Sequence, residues 1–453
     1  MAVILHVGIG SFHRAHQAWY LHRLIAGGDT AWTISVGSIR RDMVPLLDCL
    51  RAQNGEYTLE TVTPGGTRTY ERIRSIRRVV PWDAELAALV EAGVEEQTRI
   101  VSFTVTEAGY YLDDRYRLDP SHADLATDLA GGRVTVYGTV AAILRGRLER
   151  GSGPVTLLSC DNLRSNGDRF RAGLMEFLAI RGEHDLARYA NEQTTFPNSM
   201  VDRITPRPNP EVRARTLAAT GFDDGCPVMA ESFVQWVIED AFAAGRPAWQ
   251  EVGATIVASV APYEEAKIRL LNATHAGIAW AGTLAGTRFI HEGVADPAIA
   301  KLAYDYVTTD AIPCLTPSPV DLAAYRDQVL ERFGNPFIED TNQRVAADGY
   351  AKMLGWIVPT LTDRLGRGEP VEATAALPAL FLLFLQRWHR DAPAFVYDDG
   401  VMDAAAAHAL LASADPLRGF VADRALFGTL AGDARLYAAI ERRLAELRRE
   451  LHL

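Results

Sequence analysis

At 453 residues the chain is longer than one ordinary hydrophobic core organises, so two domains are expected. Hydrophobic residues make up 48% and charged residues 23%, the balance of a globular protein in water. A net charge of −11 removes any general attraction to nucleic acid or to acidic lipid.

The first β-rich run, Val3 to Val7, starts almost at the initiator Met and leaves no room for a secretory leader, so a cytoplasmic protein is expected. It ends in Gly8-Ile9-Gly10, followed by Ser11-Phe12-His13-Arg14-Ala15-His16 and a helix reaching Gly27-Gly28. Strand, glycine turn and helix in that order form the arrangement that binds a dinucleotide pyrophosphate on backbone N–H groups. His13 occupies the place of the third glycine in G-x-G-x-x-G, so the motif is partial. Gly8, Gly10, Ser11 and Phe12 are the candidate cofactor contacts.

The second strand, Thr33 to Val36, leads into Gly37-Ser38-Ile39-Arg40-Arg41-Asp42. An acidic residue there holds the ribose of NAD, whereas arginines accommodate the 2′-phosphate of NADP. Arg40 and Arg41 suit the second, and Asp42 turned toward the ribose suits the first.

Two later strands, Ile100 to Val105 and Val155 to Ser159, run into Thr106-Glu107-Ala108-Gly109-Tyr110 and Cys160-Asp161-Asn162-Leu163. Ligands of an open α/β sheet sit beyond the carboxyl ends of the strands, which puts Thr106 and Asn162 where cofactor and substrate meet. The alternative for Asn162 is a cap on a helix from Asn162 to Ile180. A further loop, Phe196 to Pro206, carries Asp202 and Arg203, which as an ordinary surface pair need no function.

The segment Pro262 to Gly277 opens like a helix, with proline in the first turn and Glu264 and Glu265 at the positive end of the dipole. It sets Lys267, Asn272 and His275 on one arc, since at about 100° per residue Asn272 lies roughly 140° and His275 roughly 80° round from Lys267. The alternative is a surface helix on which three polar residues coincide. From about Val260 the pattern is mostly helical, and the expected domains are residues 1–257, of Rossmann-type α/β fold, and 258–453, largely α-helical, with the active site between them. The apolar run Ala375 to Leu385 is short of the ~18 residues of a membrane span and reads as a buried helix. Arg344, in Asp340-Thr341-Asn342-Gln343-Arg344, anchors a substrate hydroxyl or pairs with an acid. Leu436, Ile440, Leu444, Leu447 and Leu451 form one packed stripe on the last helix.

Oxidising an alcohol with NAD(P) needs a base for the hydroxyl proton and donors for the developing oxyanion. The eleven histidines include no H-E-x-x-H, and the four cysteines no C-x-x-C, so a zinc site is not expected. A side-chain base is then required, and a lysine desolvated in a cleft serves. Asn162 and Asn272 supply amide donors. Glu264, one turn before Lys267, passes the proton on to solvent or is simply a helix charge. Tyr263 and Lys267 also spell the Y-x-x-x-K pair of short-chain dehydrogenases, but those chains are about half as long and their GxxxGxG turn is absent here.

Taken together, Gly8 to His16, Ser159-Cys160-Asp161-Asn162, Phe196 to Pro206 and the K-x4-N-x2-H set at Lys267, Asn272 and His275 resemble the polyol-specific long-chain dehydrogenases, the mannitol dehydrogenase family. The likeness runs over essentially the whole chain. It implies a metal-independent, NAD(P)-dependent enzyme interconverting a sugar alcohol and a ketose, many such enzymes being monomers and most preferring NAD. By that resemblance Lys267 is the general base, Asn162 and Asn272 form the oxyanion site, His275 holds a hydroxyl beside the reacting carbon, and Asp202 and Arg344 bind the rest of the polyol. The segments Ser38 to Met43 and Asn54 to Tyr57 look most like members that take D-arabinitol to D-xylulose; D-mannitol to D-fructose is the alternative, and reduction of a sugar acid (fructuronate or tagaturonate) a more distant one. Asp202 in the cleft favours a neutral substrate over an anionic one. From a different class, a nucleotide-sensing protein without turnover needs a damaged catalytic set, and none is seen. No membrane or nucleic-acid partner is expected, and the oligomeric expectation is a monomer or weak homo-oligomer.

Overall fold

The computed structural model describes residues 1–113, 117–206, 210–391 and 395–452. The chain divides into two compact units, Met1–Ala261 and Pro262–Leu453.

In the first unit six strands form a parallel sheet in the spatial order Ile76–Val79, Trp32–Gly37, Ala2–Val7, Thr98–Phe103, Val155–Ser159, Thr194–Thr195. Numbered along the chain this is the 3-2-1-4-5-6 order of the Rossmann fold, with the topological switch between Ala2–Val7 and Thr98–Phe103. Trp32–Gly37 and Val155–Ser159 are buried along their whole length, as strands covered on both faces must be, which is why they read as unbroken β-rich runs. Two smaller sheets were not visible in the sequence. Tyr57–Val62 pairs with Arg68–Ile73 and Val228–Glu231, and Gln235–Glu239 pairs with Ser199–Asp202 and Thr255–Val257.

The helix after the glycine turn is not continuous. It runs Ser11–Ala15, breaks at His16 (φ −123°, ψ −87°), and resumes as Gln17–Ala26. Side chains take up two carbonyls at the break: the Tyr57 hydroxyl donates to the Arg14 carbonyl at 2.6 Å, and the Arg203 guanidinium to that of Ala15 at 2.5 Å. The helix expected from Asn162 begins only at Asn166 and ends at Ile180, because Ser165 takes a left-handed conformation (φ 51°) before it. Asn162 therefore stays in the loop, exposed.

The second unit is built of helices. Glu372–Asp391 is buried from Thr374 to Leu385 and packs against Ala273–Leu284 and Ala434–Glu450. On Ala434–Glu450 and just beyond it, Leu436, Ile440, Leu447 and Leu451 are buried and Leu444 half-buried against the same core. Both apolar stripes read from the sequence are core. Among the described residues no helix is long and apolar enough to cross a membrane. The fold class is the expected one, a Rossmann-type α/β unit followed by a largely α-helical unit.

Candidate active site

The first strand delivers Gly8 at φ 112°, where a Cβ would lie 2.7 Å from the Thr104 carbonyl oxygen. Only glycine fits there. Gly10 is different. Its backbone (φ −60°, ψ 171°) suits any residue, and an added Cβ would meet nothing within 4 Å. The chain itself does not demand glycine at this place, and the missing side chain leaves the backbone ahead of Ser11 and Phe12 open to approach. The turn thus fits a dinucleotide.

His13 replaces the third glycine by a ring stack. Its imidazole lies on that of His6 with centroids 3.5 Å apart and planes 12° apart. His6 is held by Ser102 Oγ at 2.8 Å and Thr104 Oγ1 at 3.1 Å. Burial first, and the neighbouring His13, keep His6 well below its ordinary value; burial lowers His13 to about 3. Two neutral rings in face contact bring helix and strand together where the family of glycine-rich turns uses absence of a side chain.

At the end of the second strand the Arg40 guanidinium is paired with the Asp42 carboxylate, Nε to Oδ1 at 2.9 Å, and both are exposed. An exposed pair of this kind adds little stability. Its effect is to neutralise the arginine that a 2′-phosphate needs. Asp42→Ala is expected to raise the NADP-to-NAD ratio of kcat/KM by roughly tenfold, by removing a like charge and freeing the guanidinium. An unchanged ratio in parallel NAD and NADP titrations would show that the pair faces no cofactor.

Beyond the strands Thr98–Phe103 and Val155–Ser159 stand Thr106 and the Asp161-Asn162 pair. Thr106 lies at φ 65°, ψ 166°, a region populated almost only by glycine and costing other residues on the order of 1–3 kcal/mol. Asp161 is buried and accepts from the backbone N–H groups of Val105 (2.9 Å) and Thr106 (2.8 Å) and from the Tyr110 hydroxyl (3.1 Å). Burial nevertheless pushes its carboxyl up to about 6 against these donors. The folded carboxyl holds its proton more tightly than the unfolded one, so the ionised group costs the fold nothing at low pH. The cost develops between about pH 4 and 6 and reaches about 3 kcal/mol at neutral pH.

Asp202 is a buried residue of the strand Ser199–Asp202, opposite Gln235. Arg203, also buried, donates to the Ala15 and Glu231 carbonyls. The surface-pair reading of these two residues does not hold.

In the second unit the helix predicted over Pro262–Gly277 is not a plain α-helix. Ala261–Ala266 is α-helical, Lys267–Asn272 forms a π turn, and Ala273–Leu284 returns to α geometry. Bonding from i to i+5 brings positions five apart onto nearly one face, where regular α spacing puts them roughly 140° apart. Lys267 and Asn272 are that pair, both buried. His275 follows three residues after Asn272 on the same face of the α-helix. Glu264, one turn before Lys267, is buried too, so it is not a solvated helix-end charge.

His275 stacks on Phe333 with centroids 4.6 Å apart. Burial brings its imidazole down to about 4, outweighing the pull of Asp340, so the ring is neutral at physiological pH. Its Nε2 lies 3.5 Å from Asp340 Oδ2 and has no hydrogen-bond partner among the described residues. Arg344 holds the same Asp340 in a two-point pair, Nε to Oδ1 at 2.7 Å and Nη2 to Oδ2 at 2.5 Å. Among the described residues no three His, Cys, Asp or Glu side chains gather as a metal site would require.

Residues 2–251 match the sequence model of the mannitol dehydrogenase Rossmann domain, and residues 259–448 that of the mannitol dehydrogenase C-terminal domain. The chain belongs to the mannitol dehydrogenase family. It is 61% identical over 440 residues to D-arabinitol 4-dehydrogenase of Ralstonia nicotianae, covering 97% of this chain and 95% of that one. With D-arabinitol 4-dehydrogenase of Klebsiella pneumoniae it shares 52% over 441 residues, 97% of each. Among solved structures it resembles the Pseudomonas fluorescens mannitol 2-dehydrogenase ternary complex with NAD and D-mannitol, at 34% identity and a TM-score of 0.87, covering 100% of this chain and 93% of that one.

Membership of the mannitol dehydrogenase family sets aside the short-chain reading of Tyr263 and Lys267. Three residues of this family member escaped the sequence reading as functional candidates. Asp340 stands four before Arg344, a spacing that could have marked the pair. Asp161 is next to Asn162, but its partners lie 55 and 56 positions away. Lys352 carries no local signal at all: its Nζ donates to the Val345 carbonyl at 2.7 Å, burial lowers it to about 8, and its charge acts on His275.

Proposed function

We propose that this enzyme oxidises D-arabinitol to D-xylulose with NAD, using Lys267 as general base. The observation that carries the reading is the π turn, which sets a buried lysine and a buried asparagine on one face, with a neutral histidine one turn further on. A lysine in that setting takes the hydroxyl proton at Nζ once it is itself deprotonated. The amides of Asn162 and Asn272 donate to the oxygen as its charge develops. His275 Nε2, without a hydrogen-bond partner among the described residues and 3.5 Å from Asp340 Oδ2, is suited to a neighbouring hydroxyl. Asp202 and Arg344 hold the remaining hydroxyls, the carboxylate accepting and the guanidinium donating. Glu264, buried one turn before the base, hands the proton onward.

Gly8, Gly10, Ser11, Phe12 and Thr106 would hold the dinucleotide, with Asp42 toward the ribose and Arg40 turned to Asp42; this supports NAD over NADP. Bound there, the nicotinamide supplies the hydride acceptor.

A scan of sugar alcohols with NAD, following reduced cofactor at 340 nm on the order of micromolar enzyme, tests the reading. D-Arabinitol is expected to give the highest kcat/KM, and EDTA to leave it unchanged. Preference for D-mannitol would reassign the substrate, turnover only of sugar acids would overturn the neutral-polyol reading, and zinc-reversible loss in EDTA would overturn the metal-free base.

A further inference from the structure

We infer that Asp161 is a positioning residue for the dinucleotide loop: by accepting from the Val105 and Thr106 N–H groups it locks Thr106 in a backbone conformation that glycine alone adopts freely. The inference rests on the dinucleotide site proposed above.

The two N–H···O bonds converge on a single oxygen, Oδ1, at 2.9 and 2.8 Å. The other oxygen, Oδ2, accepts from Tyr110, whose hydroxyl is also 2.5 Å from Ser159 Oγ. On the far side the Asn166 amide donates to the Asp161 carbonyl at 3.0 Å and to that of Ser199 at 2.8 Å. The residue is therefore anchored twice besides the bonds it makes to that loop, at its carboxylate by Tyr110 and at its backbone carbonyl by Asn166. What it holds is the segment directly after the strand Thr98–Phe103, whose residue Thr104 packs against Gly8 of the glycine turn and accepts from or donates to His6. Thr106 at φ 65°, ψ 166° is strained, and strain of this kind persists only where the surroundings over-determine it. The two N–H bonds to one carboxylate oxygen are that constraint. Released, Thr106 relaxes to an ordinary negative φ, which redirects the peptide at the switch between the two central strands. A side chain with no direct reach to substrate thus sets the shape of the surface the cofactor meets.

The test uses the full-length protein and NADH as the probe, titrated by fluorescence without polyol. Asp161→Ala is expected to weaken NADH binding by roughly tenfold or more, whereas Asp161→Asn, whose amide oxygen still accepts both N–H groups, stays within about threefold of wild type. Adding Thr106→Gly to D161A is expected to recover much of the loss, because glycine takes φ 65° without strain. Glycine also relieves the backbone strain at residue 106, so the urea midpoint of each variant is read beside its titration, and the recovery counts only where NADH binding returns by more than the change in folded fraction supplies. If D161A does not fold, Asp161→Leu, which keeps the branching at Cγ and lacks the acceptor, takes its place in the same comparison. NADH binding by the acceptor-free variant equal to wild type, or a T106G double variant no better than the single one, overturns the inference. A wild type that binds no dinucleotide overturns the proposed function instead, and the two outcomes are read from different samples.

Discussion

Lys267→Ala is expected to lower kcat for polyol oxidation at pH 7–8 by about a thousandfold, the middle of the range a positioned base contributes. NADH affinity, measured directly, should change little. The side chain is buried at the first position of the π turn that ends at Asn272, so on the proposed mechanism its removal takes away the proton acceptor and leaves the amide in place. Lys267→Arg separates the two things a lysine supplies. Arginine keeps a positive charge but does not give up its proton in this range. If the base role is right, K267R is as slow as K267A; if the site needs only a cation, K267R keeps most of the rate. Activity of K267A within threefold of wild type would remove Lys267 from the mechanism.

The largest effect on stability is expected at Arg147, far from any catalytic role. This buried guanidinium donates to six carbonyls: Nη1 to Gly93, Glu95 and Thr98 at 2.9, 3.2 and 3.0 Å, and Nη2 to Ser152, Gly153 and Pro154 at 2.9, 3.1 and 3.3 Å. It gathers the two turns that lead into the strands Thr98–Phe103 and Val155–Ser159, and so sets the amino ends of the strands whose carboxyl ends carry Thr106 and Asn162. Burial lowers its pKa, yet replacing it leaves six acceptors without their common donor. Arg147→Met is expected to cost about 3–5 kcal/mol, read as a lower midpoint in urea at unchanged slope, with Arg147→Lys between the two. A loss under about 1 kcal/mol would mean that water replaces the guanidinium cheaply.

The strand, the glycine turn and the K-x4-N-x2-H set were legible because each is local: β-rich residues in a row, a glycine pair, polar positions at helical spacing. Even there the 3.6-residue period misplaced Asn272, since a π turn leaves no mark in residue types and is decided by how the helix packs. His13 in the third-glycine place read as a defect, and only His6 stacked beneath it explains the residue. The helix break at His16 depends on Tyr57 and Arg203, 43 and 188 positions from the carbonyls they satisfy. Asp161 is the same case at the site itself: nothing beside it in sequence marks its N–H partners, which lie 56 and 55 positions away beyond another strand.

Gly10 carries a last consequence, for the unfolded chain rather than the folded one. A glycine whose dihedrals suit any residue surrenders more freedom on folding than an alanine would, roughly 0.5–1 kcal/mol, and recovers none of it through a contact of its own. The fold is that much less stable than this position allows. An alanine at residue 10 would regain that stability and would put a methyl group into the open space ahead of Ser11 and Phe12 that the proposed dinucleotide site needs clear.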